Sequence, residues 1–337
     1  MKSYHGTSGG GLASLVLREH PVPEPGPREV LVRVRANSLN ARELSVLRGT
    51  YPLPVKPDVI MCADGAGVVE AVGPHVTRVR IGDRVAAAMF PRWLDGPIAW
   101  EYAPQLGGSL DGMLTEFIAL SEEAVVQIPD YLSFEEAATL PCAAVTAWNA
   151  LFGARPLQPG HTVLTLGSGS VSLFALQFAK AAGARVIATT SNDEKAARLR
   201  ELGADDVINY RTTPDWHLAV RELTSGRGVD QVVDIGGGTL LHSIRSAALE
   251  GQINFIGRLS SDASTLDLNV LFQAVATVRV VFAGSRAHFL AMNRALAGHR
   301  LRPIIDRTFS FDQAVDAFRH YESGAAFGKV VIRHGVD

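Results

Sequence analysis

The stretch that most constrains the fold runs from His161 to Ser191, HTVLTLGSGSVSLFALQFAKAAGARVIATTS. An apolar run, Val163 to Leu166, meets a glycine-rich turn, and an apolar helical pattern follows from Val171 to Ala182. A second apolar run, Arg185 to Thr190, comes next. The order is strand, turn, helix, strand, with GSGSVS where a dinucleotide lays its pyrophosphate. Gly167 permits the tight turn and Gly169 leaves room for a phosphate. The helix N-terminus then offers unpaired N–H groups to the anion. Ser172 stands where such turns carry a third glycine, so the β-α-β context carries the reading, not the glycines alone.

The rest of the chain is consistent with two domains. Its 337 residues are enough for two sizeable cores. Up to about Val126 the sequence is β-rich, with runs at Val30 to Ala36, Gly65 to Val72, Asp83 to Ala88 and Thr115 to Leu120 split by Pro and Gly. One helical stretch, Ala41 to Arg48, lies among them. The aromatic- and proline-bearing segment Phe90 to Gly112 is expected to form a long surface excursion. Ser133 and Glu136 form a capping-box pattern for a helix Phe134 to Thr139. Pro141 is expected to break that helix before a second one, Ala143 to Phe152.

After Pro159-Gly160, strands are expected near Val163 to Leu166, Arg185 to Thr190, Asp206 to Ile208, Gln231 to Ile235, Gln252 to Ile256 and Val278 to Ala283. Helices fall between most of them, which implies an α/β, parallel, doubly wound sheet. Two helices, His288 to Ala297 and Phe311 to Tyr321, and a strand, Lys329 to Ile332, close the chain.

The formal net charge is −2 and the pI about 6.6, which argues against a nucleic-acid footprint or a membrane-surface patch. No apolar run has the length of a membrane span. Cys62 and Cys142 are too few for a disulfide framework. A cytoplasmic protein is the expectation, with no signal-peptide pattern in MKSYHGTSGGG.

Taken together, PEPGPREVLVRVRANSLN, CADGAGVVEAVG, VRIGDRVAA, AATLPCAAVTAWNAL, LGADDVINYR, TSGRGVDQVVDIGG and FGKVVI resemble the medium-chain dehydrogenase/reductases, closest to the zinc-independent, quinone-oxidoreductase-like branch. The resemblance implies a GroES-like β-barrel catalytic domain over residues 1–140, a Rossmann cofactor domain over 141–284, and a C-terminal return to the first domain over 285–337. Zinc members of the superfamily hold their metal with Cys, a His–Glu pair and a second Cys. Asn40, Ala63 and Asp64 stand at the first three of those positions here, and only Cys142 retains a ligand type. One soft ligand does not make a zinc site, so no metal is expected.

The second strand of an NAD-specific Rossmann domain usually ends in an acid that binds the adenine ribose. Here it ends Thr189-Thr190-Ser191. Lys195 follows one helical turn later, and Tyr210 matches a tyrosine that family members place beside a 2′-phosphate. NADP(H) is therefore expected. Asp193, which would oppose that phosphate, is expected to cap its helix instead. The resemblance also implies cofactor contacts from Thr146, from Gly167, Ser168, Gly169, Ser170 and Val171 in the turn, from Thr190 and Ser191, and from Gly236, Ile256, Gly257 and Lys329.

For chemistry the expected residues are Tyr51 as proton donor or oxyanion partner, Asn40 as an N–H donor at the vacated metal position, and Arg42. The expected reaction is metal-free hydride transfer from NADPH to a quinone or an α,β-unsaturated carbonyl. Two other readings stay open: a zinc-independent alcohol or carbonyl dehydrogenase, and an NADPH-binding protein without catalysis. The apolar run at Val278 to Phe282 falls where the sheet ends and is expected to join a homodimer.

Overall fold

The computed structural model describes residues 1–236, 238–257 and 268–335. Two compact units divide the chain: Thr146–Phe282, and Met1–Val145 together with Ala283–Asp337.

The Thr146–Phe282 unit is built on six parallel strands. Their order is Asp206–Asn209, Arg185–Thr190, Thr162–Leu166, Val229–Asp234, Ala247–Phe255 and Thr277–Val280. The first strand in sequence, Thr162–Leu166, is central and buried at every residue, as a parallel strand covered on both faces must be. The chain adds strands to one side of Thr162–Leu166 and then, from Val229–Asp234, to the other, which makes the gap between these two the switch point at which open α/β sheets bind ligands. On one face Leu164, Leu166, Ile187 and Ile208 pack with Trp216, Val220 and Ile244, carried by the helices Trp216–Leu223 and Leu240–Ser246. The helix Ser170–Ala181 packs on the strands Thr162–Leu166 and Arg185–Thr190. Its Phe178 meets Trp148 edge to face at 5.5 Å.

The other unit centres on the long strand Glu29–Ser38. It pairs antiparallel with Asp64–Val72, with Phe117–Ser121 and with the C-terminal strand Lys329–Arg333. Val331 lies opposite Ser38, so the end of the chain is delivered beside Leu39 and Asn40. A separate three-stranded sheet joins Val16–Glu19, Lys2–Gly6 and Val59–Ile60. The elements Val16–Glu19, Lys2–Gly6 and Ile305–Ser310 are additions to the sequence expectation.

Several expectations are corrected. Pro141 does not break the helical path. Phe134–Ala137 continues through Leu140–Ala144 as a π-helical turn, with the Val145 N–H on the Leu140 carbonyl, into Val145–Phe152. The wider turn accommodates a residue that has no N–H and whose ring crowds an α-helix. The segment Phe90 to Gly112 is not only a surface excursion. Trp100 is exposed, but Phe90, Trp93 and Leu106 are buried, with Phe90 and Trp93 in one apolar cluster beside Ala63. The helix Asp193–Glu201 is capped by Asn192, whose Oδ1 accepts the Lys195 N–H at 2.8 Å, and not by Asp193. The edge strand stops at Val280 instead of reaching Ala283.

Candidate active site

The strand end Asn37–Ser38, the helix start at Asn40, the strand start at Asp64 and the C-terminal strand at Lys329 converge on one buried polar knot. Asp64 is fully buried. Its Oδ2 accepts from Ser38 Oγ at 2.7 Å, from Asn40 Nδ2 at 2.9 Å and from Lys329 Nζ at 3.2 Å. Its Oδ1 accepts the Cys142 N–H at 2.9 Å, which the π-helical turn directs away from the helix. Lys329 is 1% exposed and spends its other ammonium protons on the Leu39 carbonyl and Asn40 Oδ1, both at 2.8 Å. A buried ion pair is tolerable only when its remaining donors and acceptors are satisfied, and here they are.

Beside the knot lies a second charged pair. Glu43 is buried; its Oε2 accepts the Asn40 N–H at 2.8 Å, while Oε1 accepts the Ala63 N–H at 3.1 Å and Arg42 Nη1 at 2.9 Å. Arg42 also donates to the Gly107 carbonyl at 3.0 Å and, through Nε, to Tyr51 Oη at 3.4 Å. Its guanidinium lies over the Tyr51 ring, 4.8 Å from the centroid. Burial alone would lower the Arg42 pKa, but Tyr51 and Glu43 outweigh it and hold it raised, so Arg42 is a fixed cation. Burial, reinforced by Asp64 and Glu43, pushes the Cys142 thiol up to about 12. That leaves Cys142 a neutral thiol at neutral pH.

In the Thr146–Phe282 unit the glycine turn has the geometry an anion needs. Gly167 sits at φ 74°, a left-handed position where a side chain is strained. Among the described residues, a Cβ on either Gly167 or Gly169 would meet only Ile235, so the turn is open on its outer side there. Gly169 is extended and opens the twelve-residue helix Ser170–Ala181, with Ser170 and Val171 in its first turn. The substituted third glycine is absorbed: Ser172 is buried and donates its hydroxyl to the Leu166 carbonyl at 2.6 Å.

At the end of the second strand, Thr190 is buried and its Oγ1 has no hydrogen-bond partner among the described residues. A buried hydroxyl left unpaired asks for an explanation. Ser191 and Lys195 are partly exposed, and Tyr210, one residue beyond its strand, is 40% exposed. Among the described residues Lys195 makes no ion pair. Asp193 is tied to Asn209, which donates to it at 2.9 Å. After Asp234, the turn carrying Gly236 is organised by that buried carboxylate, which accepts from the Gly236 N–H, Thr239 and Ser243. Ile256 and Gly257 follow the end of the fifth strand, and Thr146 is buried in the helix Val145–Phe152.

Thus Asn40 and Lys329 share one cluster, with Arg42 and Tyr51 against it, while the turn, strand-end and Tyr210 residues share one edge of the parallel sheet. Sequence reasoning assigned no role to Ser38 or Glu43 and did not pair Lys329 with Asp64. The signal available was the loss of metal-ligand residue types around Asp64.

Two family models match the chain: "Alcohol dehydrogenase GroES-like domain" over residues 26–130 and "Zinc-binding dehydrogenase" over 170–298. A zinc-type alcohol dehydrogenase-like protein of Schizosaccharomyces pombe is 42% identical over 332 residues, covering 96% of each chain. A quinone oxidoreductase of Pseudomonas aeruginosa is 36% identical, covering 78% of this chain and 75% of its own. Among solved structures, an NAD-dependent alcohol dehydrogenase superposes with a TM-score of 0.91 at 34% identity, covering 99% of this chain and 100% of its own. A mycobacterial protein solved with NADPH superposes with a TM-score of 0.83 at 28% identity, again covering 99% and 100%.

Proposed function

Because the chain belongs to the medium-chain dehydrogenase/reductases, a family of oxidoreductases, we propose that it is an NADPH-dependent reductase of quinones or α,β-unsaturated carbonyls with a metal-free active site. The observation that carries the metal-free part is the Lys329–Asp64–Asn40 knot. The residues at the superfamily's metal position do not fit a zinc ion. Asn40 and Asp64 are already bound to an ammonium, Ala63 offers no side-chain ligand atom, and Cys142 alone retains a ligand type. Zinc needs three deprotonated protein ligands and an open position.

The cofactor residues do fit. The open Gly167–Gly169 turn and the free N–H groups at the start of Ser170–Ala181 suit a pyrophosphate. Thr190 Oγ1, buried and unpaired among the described residues, is a candidate partner at the strand end. Lys195, free of an ion pair among the described residues, supports a 2′-phosphate, and no acid ends the strand to repel it. One solved neighbour is described as NAD-dependent and another was solved with NADPH, so the strand end supports the reading for this chain. Bound there, reduced NADP supplies a hydride.

The chain's own residues supply position and charge. Arg42 fixes Tyr51 by donating to Oη and stacking on the ring, which leaves the phenolic O–H to donate to a substrate oxygen as negative charge develops. Glu43 and Gly107 hold Arg42 in place. Asn40 uses one amide N–H on Asp64, and its other remains a second donor. An enone or quinone needs only such donors, whereas an alcohol oxygen asks for a stronger Lewis acid. Steady-state rates on enones, quinones and primary alcohols test the assignment; turnover confined to alcohols would refute it.

We further propose a homodimer through the edge strand Thr277–Val280, where Val280 is 59% exposed. Val280→Pro would remove a ladder donor there. A monomeric unmodified protein in light scattering would rule the dimer out.

A further inference from the structure

The helices on the outer face of the parallel sheet bring together three metal-ligating side chains that the hydride chemistry does not use. Asp215 precedes the helix Trp216–Leu223, His217 lies in its first turn, and His242 lies on the neighbouring helix Leu240–Ser246. One ligand atom from each falls within 4.8 Å of the others. The two imidazoles face each other Nδ1 to Nδ1 at 2.8 Å.

We propose that Asp215, His217 and His242 form a binding site for a single divalent transition-metal ion of the zinc class. Tetrahedral bonds of about 2.0–2.2 Å set neighbouring ligand atoms roughly 3.3–3.6 Å apart, between the His–His spacing and the outer limit of the cluster. Small side-chain rotations therefore convert the present arrangement into a coordination shell. Two imidazoles and a carboxylate are a donor set that suits zinc, and exposed Asp215 leaves the fourth position to water. His217 is buried, and the Trp216 ring lies against His242 at 5.2 Å, so the two rings are held before any ion arrives. The nearby cations are Arg221 and Arg245. Arg221 is occupied by the carbonyls of Gly226, Arg227, Arg245 and Ala247, and Asp215 offsets the remaining positive field. An ion here would clip two helices of the same layer together and stabilise the unit in proportion to its occupancy.

The test is titration of the chelator-treated, full-length protein with zinc chloride, paired with cobalt(II) absorption. One ion per chain is expected, with visible cobalt bands of a tetrahedral N/O site and no thiolate-to-metal band. Zinc should raise the melting temperature by several degrees. His242→Gln and Asp215→Asn, both at positions outside the buried core, should weaken binding at least about tenfold, the scale on which even outer-shell partners act. Cys142→Ser should leave binding unchanged. Absence of a stoichiometric ion in the unmodified protein, or binding that survives the His242→Gln/Asp215→Asn double substitution, would overturn the site. Neither outcome bears on reductase activity, which is scored separately.

Discussion

Replacing Lys329 with Met tests whether the knot at Asp64 is an ammonium-for-metal arrangement. Lys329 is 1% exposed and Asp64 fully buried, so solvent does little to screen the charge left behind. Met keeps the length and apolar stem of Lys but removes three donated protons. The Leu39 carbonyl and Asn40 Oδ1 lose their partner, and Asp64 keeps only Ser38, Asn40 and Cys142 as donors. Breaking one side of a buried pair costs about 3–5 kcal/mol. For a domain of roughly 150–250 residues each kcal/mol moves the melting temperature about 2–4 °C, so a fall of roughly 6–20 °C is expected. Asp64→Asn added to Lys329→Met removes the stranded charge and should restore part of the loss. A double-mutant cycle by calorimetry should return a coupling of about 1–3 kcal/mol. The reasoning is refuted if Lys329→Met costs no more than a surface substitution, about 0.5 kcal/mol, or if Asp64→Asn gives no rescue.

Three further outcomes follow from named residues. Lys195→Ala should weaken NADPH about ten- to hundredfold, the loss of one charge-assisted contact, while sparing NADH; equal loss in a binding titration would remove Lys195 from the 2′-phosphate. His334 is buried against Asn37, and burial lowers its pKa from 6.5 to about 3. The unfolded chain therefore binds the extra proton first, and this group's contribution to stability is complete above pH 6.5 and lost as pH falls toward 3, at about 1.4 kcal/mol per unit. His334→Gln should flatten that slope in urea titrations between pH 6.5 and 4; an unchanged slope would contradict it. Cys142, with its thiol pushed up to about 12, should resist iodoacetamide in the folded protein at pH 8, and rapid labelling located there by mass spectrometry would contradict the neutral thiol.

The parallel sheet was legible because its signals are local. The strands Thr162–Leu166, Arg185–Thr190 and Thr277–Val280 are short runs rich in β-branched residues, and Gly167 announces a turn that few other residues can make. What was not legible depended on distance or on competition. Lys329 reaches Asp64 across 265 positions, and the pairing of Glu29–Ser38 with both Lys329–Arg333 and Asp64–Val72 brings them together. Pro141 looks like a helix breaker, yet a π-helical turn absorbs it and turns the Cys142 N–H toward Asp64. Asn192 and Asp193 are both good caps by type, and only the backbone decides that Asn192 serves. The excursion around Trp93 reads as a loop by its prolines, while its burial depends on the Ala63 and Phe90 cluster that sequence does not display.

The most direct test of the central claim is turnover of NADPH with a quinone or enone by chelator-treated protein of verified metal content. The account predicts full activity without metal and no gain on adding zinc. Activity that disappears with the chelator and returns with stoichiometric zinc in the His242→Gln/Asp215→Asn protein would contradict it.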